Sequence, residues 1–399
     1  AGAGDILNTV IEEFGYPGII VHGLTLKPGK PTLIAVINKK PLIGLPGYPT
    51  SALMIFKLIV APIIRKMAGL PVNNEEPNIS ANVARKVFSI KGKRELMPVH
   101  LISSLSGFSV YPVAYGSGAI STMALADGYV DIPKNQEFLE EGDEVQVKLF
   151  SPNVQLADLL IIGSHCTGID LILQHMRTKM PNLVSKVVNI GSMGGLNSIL
   201  RGEADISGVH ILDENTNEYN IEQLRSQKLF DQVSLIRGYS REQGFIVTKG
   251  NTKGITSLSD LLRDDIVFLN RNPGSGTRIL IDFKLKVLAK SMNLSFNDIK
   301  KKIAGYNMEA KSHQAIAASI AQGKADVGIG IKTVAHFYNL DFIHLDDEMY
   351  DFLIPSNRAK KKAVKLFFST LNSKEFKKDL SKKMPGLKPN SLTGRIMDK

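Results

Sequence analysis

Two glycines and two hydroxyls crowd the run Asn-Arg-Asn-Pro-Gly-Ser-Gly-Thr-Arg at 270–278. Glycine lets backbone N–H groups turn toward a ligand, and a helix N-terminus carries roughly half a positive charge. Residues 266–269 before the run are short, apolar and β-prone. Behind it, apolar residues at 279, 280, 283, 287 and 288 mark one face of a helix. The run therefore reads as a strand–loop–helix joint. Its donors, Ser275, Gly276 and Thr277, suit a phosphate-like oxyanion. It is not a P-loop, because no Gly-Lys-Ser/Thr follows. Gly-Ser-Gly alone serves an ordinary βα turn equally well, so the rest of the chain decides.

A second constellation lies near the start. Lys27 and Lys30 flank the stiff turn Lys-Pro-Gly-Lys-Pro, between strands expected at 19–21 and 32–37 and behind a helix at 5–14. Gly-Leu-Pro-Gly-Tyr-Pro-Thr-Ser at 44–51 opens a helix over 52–68, with Thr50 or Ser51 as N-cap. Two basic side chains facing a Gly/Pro loop at a helix start form a phosphate or oxyanion site. At this spacing the two motifs resemble molybdopterin molybdenumtransferase, the MoeA/gephyrin E-domain family. Its members insert molybdate into adenylylated molybdopterin, with release of AMP. By position, the resemblance assigns catalytic roles to Asp5, Lys27 and Lys30, and cofactor contacts to Pro46, Gly47, Tyr48, Pro49 and Ser51. The family usually has Asn where this chain has Tyr48. The family's preceding Gly-Gly-x-Ser piece and its N-terminal domains are not in this sequence, which reads as a fragment that would not catalyse alone. Residues 1–70 are then the C-terminal part of a molybdopterin-binding, MogA-like α/β domain.

Residues 73–78 are polar and flanked by prolines, as in a linker. Short β-prone runs follow at 84–90, 95–103, 108–114 and 144–149, at the spacing of a small all-β barrel. Gly-Ser-Gly-Ala-Ile-Ser at 116–121 resembles the signature of the family's C-terminal barrel. There Ser117 and Ser121 either touch cofactor or shape a turn. Residues 71–150 form this second domain.

From 152 to 399 the rhythm changes to strand, Gly/Ser loop, helix. It appears at 156–162 with the loop Gly-Ser-His-Cys-Thr-Gly, and at 186–190 with the loop Gly-Ser-Met-Gly-Gly. In a parallel α/β sheet, ligands sit at such strand ends. Ile-Leu-Arg-Gly-Glu-Ala-Asp-Ile at 199–206 is echoed by Ile-Ala-Gln-Gly-Lys-Ala-Asp-Val at 320–327. In both, a helix stops at Gly and a strand begins after Ala-Asp. Two similar units joined by crossings at 243–248 and 340–345 make a two-lobed clamshell. The segment resembles the type II periplasmic-binding-protein fold, also the effector domain of LysR-type regulators, and within it the molybdate- or tungstate-binding form. A buried dianion needs many aimed donors, each charge-assisted bond contributing about 1.5–3 kcal/mol. Ser164, Thr167, Ser192, Ser275, Gly276, Thr277 and Ser312 supply them. Arg278 either contacts the anion or braces its loop. His313 lines the cleft or caps its helix, and Tyr239 sits at the hinge. Asp205 and Asp326 satisfy backbone groups.

Composition bounds the function. At 399 residues with 43% apolar content, roughly two to four domains fit. No apolar run reaches the ~18 residues of a membrane helix. The single cysteine, Cys166, excludes an internal disulfide and a cysteine zinc site, and fits a reducing cytoplasm. His165 has no second histidine at ligand spacing, so no resident metal is expected. The net charge of +11 favours anionic ligands, while the late lysines alternate with apolar residues as on amphipathic helices. No nucleic-acid motif accompanies them.

The expected architecture is therefore α/β: a partial MogA-like segment, a small barrel, then the clamshell. Two functions stand side by side: a molybdenum insertase with a fused oxyanion-binding domain, or an oxyanion-binding effector or sensor without transferase activity. A purely structural dimerisation role for 1–150 leaves the lysine pair unexplained. The resemblance further implies a homodimer, Mg2+ as a candidate ion, and a molybdopterin adenylyltransferase as candidate partner.

Overall fold

The computed structural model describes residues 7–14, 16–72, 77–104, 107–113, 126–152, 157–213, 216 and 218–397. The chain divides into two compact units, Ala1–Leu156 and Ala157–Lys399.

In the first unit, Leu33–Ile37 runs between Pro17–His22 and Lys40–Gly44 in an antiparallel sheet. Its buried Leu33 and Ala35 pack with Ile11 of helix Leu7–Glu13. The following helix begins earlier than expected, at Pro49, with Tyr48 as N-cap. Thr50 and Ser51 are instead buried within its first turn. Proline suits that first position, because its fixed φ is helical and its missing N–H needs no partner there. Nor does the helix run unbroken to 68. Phe56–Val60 widens into a π turn, and Ala61–Met67 continues as α-helix. Pro62 lacks the N–H that would bond the carbonyl four residues back, and the Ala61 N–H reaches Phe56 O instead.

The barrel follows. Arg94–Ser104 pairs with both Gly107–Pro112 and Gly128–Ile132, and Asn78–Val83 and Glu144–Leu149 complete the circuit. Closure leaves no ladder edge between these strands. Met97, Val99, Leu101, Val110, Val130 and Val147 fill the interior. Asn78, expected to end the linker, starts a strand, and Gly128–Ile132 is a strand that periodicity did not reveal. The short strand Leu26–Lys27 pairs parallel with Arg94–Glu95, which ties the lysine turn to the barrel.

The second unit is two-lobed. Leu159–Gly163 and Ser185–Asn189 pair in parallel in the first lobe. The crossings are longer than the sequence indicated. Val233–Val247 and Asp341–Pro355 pair antiparallel from Val233↔Pro355 to Val247↔Asp341. One end lies in a core containing Ile161, Ile172, Phe352, Phe367 and Phe376. The other lies in a core containing Phe245, Phe268, Ile281, Leu285 and Ile329.

The internal echo is physical. Asp205 accepts the Leu160 N–H at 2.9 Å and donates its own N–H to Leu160 O. Asp326 does the same with Val267, at 2.8 Å through its carboxylate. Gly202 and Gly323 both adopt positive φ after their helices, the left-handed termination that glycine allows.

One loop is not a loop: helix Gly191–Leu200 already contains Ser192, Gly194 and Gly195. A Cβ on Gly195 would fall 2.7 Å from Gly163 Cα. The glycine thus lets this helix lie directly on the strand.

Candidate functional site

The lysine turn of the first unit is closed by its own backbone. Gly23 N–H donates to Thr32 O at 2.8 Å, Leu24 N–H to Lys30 O at 2.9 Å, and the Thr32 hydroxyl to Gly29 O at 2.7 Å. Gly29 has φ +127°, and a Cβ there would fall 2.5 Å from Ile55 Cδ1. Glycine therefore lets the turn press against helix Pro49–Ile55, so the two expected motifs come together. Leu26, Met54, Ile55, Leu96 and Tyr129 form the apolar cluster beneath them. Lys27 Nζ lies 2.9 Å from Oε1 of buried Glu95, whose other oxygen accepts the Ser89 hydroxyl at 2.7 Å. Lys30 is exposed. Pro46 and Ser51 are buried, while Gly47 and Tyr48 are exposed at the loop tip. Asp5, Ser117 and Ser121 lie outside the described residues.

In the second unit the expected loops converge on a residue that was not expected, His210. Ser164 Oγ is 2.9 Å from His210 Nε2, and Ser192 Oγ accepts the His210 backbone N–H at 3.1 Å. From the other lobe, helix Gly276–Ser291 begins so close that a Cβ on Gly276 would fall 2.5 Å from His210 Nδ1. His210 Nδ1 is also 2.9 Å from Glu348 Oε2, while Glu348 Oε1 pairs with Arg241 Nη2. Arg241, Glu348 and His210 are all buried, and the Arg241 guanidinium lies 4.5 Å over the Tyr350 ring.

The charges explain one another. Burial works against the Glu348 carboxylate, yet Arg241 and His210 overrule it and hold it down at about 2. Burial first, then Arg241, lowers the Arg271 guanidinium to about 10. Burial, then Arg271, Arg241, His210 and His165, pushes His313 well below the ordinary histidine range. Basic groups from both lobes therefore face a common space. Among the described residues, buried Arg271 Nε and Nη1, both side-chain polar atoms of Gln243, His313 Nδ1 and Thr167 Oγ1 have no hydrogen-bond partner. Buried polar atoms are nearly always paired, so the unmet N–H groups of Arg271 and Gln243 match a missing acceptor, while Gln243 Oε1 itself lacks a donor. Two guanidiniums there face one carboxylate, an excess of positive charge before either histidine takes a proton.

Two other expected donors accept from their own helices and keep a hydroxyl hydrogen to give. Ser275 Oγ caps its helix through the Arg278 N–H at 3.3 Å, and Ser312 Oγ caps through the Ala315 N–H at 3.1 Å. Thr277 is buried in the first turn. Arg278, expected as an anion contact or a brace, is built as a brace. Its Nε meets Asp282 at 3.0 Å, its Nη1 donates to Arg271 O at 2.9 Å, and its guanidinium lies over Tyr306 at 4.5 Å. His165 meets Asp170 at 3.2 Å. Tyr239 is buried at the hinge, stacked on Tyr350 with centroids 5.5 Å apart. Among the described residues, no group of three His, Cys, Asp or Glu could hold a metal ion, and no helix is long and apolar enough to cross a membrane.

Comparison with known proteins gives the family. The PBP superfamily domain matches residues 173–372, the MoeA C-terminal region (domain IV) residues 80–150, and the "Probable molybdopterin binding domain" residues 1–66. The chain is a MoeA-like region fused to a domain of the PBP superfamily. It is 31% identical over 239 residues to the uncharacterized protein YvgK of Bacillus subtilis (strain 168), covering 60% of this chain and 73% of that one. It is 28% identical over 149 residues to molybdopterin molybdenumtransferase of Nostoc sp. (strain PCC 7120), covering 36% of this chain and 34% of the relative. The solved molybdopterin biosynthesis MoeA protein from Pyrococcus horikosii matches at 43% identity and TM-score 0.31, over 36% of this chain and 34% of its own. The chain thus spans about a third of the length of these molybdopterin relatives.

In the PBP domain, sequence reasoning missed His210, Arg241, Gln243, Arg271 and Glu348. Arg271 was read as part of a loop, but Asn270 and Arg271 pair with Glu309 and Ala310 and extend the strand Phe268–Arg271. The available signal was charge inside strand sequence: Arg-Glu-Gln at 241–243 and Asp-Asp-Glu at 346–348 interrupt apolar β runs. Alternation puts Tyr239, Arg241 and Gln243 on one face of their strand.

Proposed function

We propose that the PBP domain binds one tetrahedral oxyanion, molybdate or tungstate, between its lobes, and that the MoeA-like region is the catalytic part of a molybdenumtransferase in the full-length protein. The observation that carries the first reading is the cluster of buried, unpartnered donors, Arg271, Gln243, His313 and Thr167, beside Arg241. Ser275, Gly276 and Thr277 add the N-terminus of a helix from Gly276 to Ser291. An anion there would offset the excess charge and accept bonds that water otherwise supplies. Titration calorimetry of the chain with molybdate, tungstate, sulfate and phosphate tests the reading. Submicromolar binding of molybdate or tungstate is expected, and no binding of any anion below millimolar concentration refutes it.

For the MoeA-like region, the name of the Nostoc relative supports insertion of molybdate into adenylylated molybdopterin. Lys30 and Lys27 would hold the cofactor's phosphate or the incoming oxyanion, Lys27 in the orientation set by Glu95. Gly47, Tyr48 and Ser51 would line the cofactor's approach. Any Mg2+ ligand set would include Asp5. In the full-length protein, Lys30→Ala should slow insertion with little change in folding, and Lys27→Ala should slow insertion and also lower stability, because buried Glu95 loses its ion pair.

The Lys27–Glu95 pair also supports a second reading. It offsets one of the two charges, as suits an oxyanion sensor without transferase activity. Insertion by the full-length protein discriminates the two. A homodimer, a cytoplasmic location and a molybdopterin adenylyltransferase partner complete the transferase reading.

A further inference from the structure

Ser164, His210 and Glu348 lie in consecutive polar contact, an arrangement that an anion-binding site does not need merely for donors. Glu348 is buried and ion-paired with Arg241, so it stays ionised and can only accept. His210 Nδ1 lies 2.9 Å from Glu348 Oε2, at ion-pair distance though outside hydrogen-bond geometry; a bare nitrogen lone pair so close to a carboxylate would be repelled, so Nδ1 carries the hydrogen. In a neutral imidazole the other nitrogen is then bare. Nε2, 2.9 Å from Ser164 Oγ, must accept the serine's hydrogen. Ser164 then turns lone pairs toward the cleft, which repel a fully deprotonated oxyanion and accept from a protonated one. When Nε2 gains a proton it donates to Ser164 Oγ, and the serine hydrogen is released toward the ligand. The serine's main chain stays fixed throughout, because Ser164 O accepts the Tyr350 hydroxyl and Ser164 N–H donates to Gly208 O at 2.9 Å.

We propose that His210 is the proton-uptake switch of this cleft, converting Ser164 from acceptor to donor as a dianion binds. The inference rests on the oxyanion reading above and deepens it, since it determines which protonation state of the ligand is bound. Everything packed on His210 is consistent with a ring that charges only when an anion arrives. Glu348, on the strand Asp341–Pro355, favours the imidazolium. Arg241 on Val233–Val247 and Arg271 on Phe268–Arg271 oppose it, as does burial. His313, opening the helix His313–Ala321, is coupled to it with the same sign. Tyr350 stacks on the ring at 6.0 Å, and Gly276 brings backbone alone. Burial is the largest influence against the charged ring; a dianion placed among Arg241, Arg271 and His313 offsets the opposing positive charges and adds its own attraction to that of Glu348. The proton comes from solvent and rests on His210 Nε2, and no covalent bond changes.

The test is calorimetry of the whole chain with molybdate at pH 7, in buffers of different ionisation enthalpy. The dependence of the observed heat on that enthalpy counts the protons taken up. About one proton per molybdate is expected in wild type and in His175→Gln, whose ring instead meets Asp379 at 3.1 Å, and none in His210→Gln. Affinity should rise by up to about tenfold per unit as pH falls from 8 to 6, the linkage slope of one proton. Ring-nitrogen NMR of the wild-type protein gives the same answer without a variant: His210 should move to its imidazolium shift on molybdate addition. Molybdate binding without proton uptake, or uptake that survives in His210→Gln, overturns the relay and leaves the anion site standing. No heat from molybdate, tungstate, sulfate or phosphate overturns both.

Discussion

Arg271 and Arg278 flank the same loop and divide its work. Arg271 keeps buried N–H groups unpartnered, while Arg278 is bonded to Asp282 and to the Arg271 carbonyl. Arg271→Gln should therefore weaken molybdate binding by roughly ten- to a hundredfold, one charge-assisted bond, without lowering the melting temperature. Arg278→Gln should lower stability by about 1–3 kcal/mol and affect affinity less. Equal affinity losses, measured by calorimetry, would refute this division. Ser275→Asp keeps an N-cap but adds a carboxylate at the helix start. Like charges ~4 Å apart at an effective dielectric of ~20 repel by about 4 kcal/mol, so binding should fall roughly a thousandfold. Glu348 gives a pH prediction. Its carboxyl sits at about 2 in the fold against an ordinary 4.5. A depressed carboxylate stabilises fully above its unfolded value and loses that contribution as pH falls through the folded one. Stability should therefore drop between about pH 4.5 and 2. Glu348→Gln should lose this segment and unfold more readily at neutral pH, because Arg241 is left buried and unpaired. Denaturant titrations across that range check it. These roles were half legible in the sequence. Hydroxyls and glycines at helix starts are local signals. Arg241 and His210 share Glu348, which lies on a strand far along the chain from either, and no local pattern encodes that pairing.

Elements were more legible than partners, because their signals are local. The helix marked by apolar spacing from 279 is present, but it begins at Gly276, inside the run read as a loop, because Ser275 caps it. The misreadings have physical causes. Pro49 drew the start of its helix three residues forward, and Pro62 forced the π turn. Gly195, read as loop, serves close packing of a helix on Gly163. Gly276 is the same device used across the cleft. A Cβ there would meet His210 Nδ1 at 2.5 Å and His210 O at 3.0 Å, so turning the ring alone does not relieve it. Gly276→Ala should improve helix propensity while forcing the helix start away from His210. The expected result is at least roughly tenfold weaker molybdate binding with unchanged circular dichroism. Wild-type affinity in this variant would mean that the helix start and His210 need not approach each other for binding.

At the scale of the whole molecule, each compact unit has its own core, and the two meet the sequence reading differently. The barrel closes on itself, and the PBP domain's crossing strands connect both of its lobes. The first unit leaves Tyr16, Ile20, Leu53, Phe56, Ile64 and Met67 exposed on its sheet and helices. The second unit contains every group of the proposed oxyanion cleft, so binding should not depend on the first. Residues 157–399 expressed alone should bind molybdate within about twofold of the whole chain, a difference below ~0.5 kcal/mol. The affinity should also change little with salt, since the charges involved are buried and weakly screened. Calorimetry on both forms at low and high ionic strength measures both effects. Loss of binding in the isolated but folded unit would show that the first unit completes the site, and the anion would then belong to the transferase chemistry rather than to the clamshell.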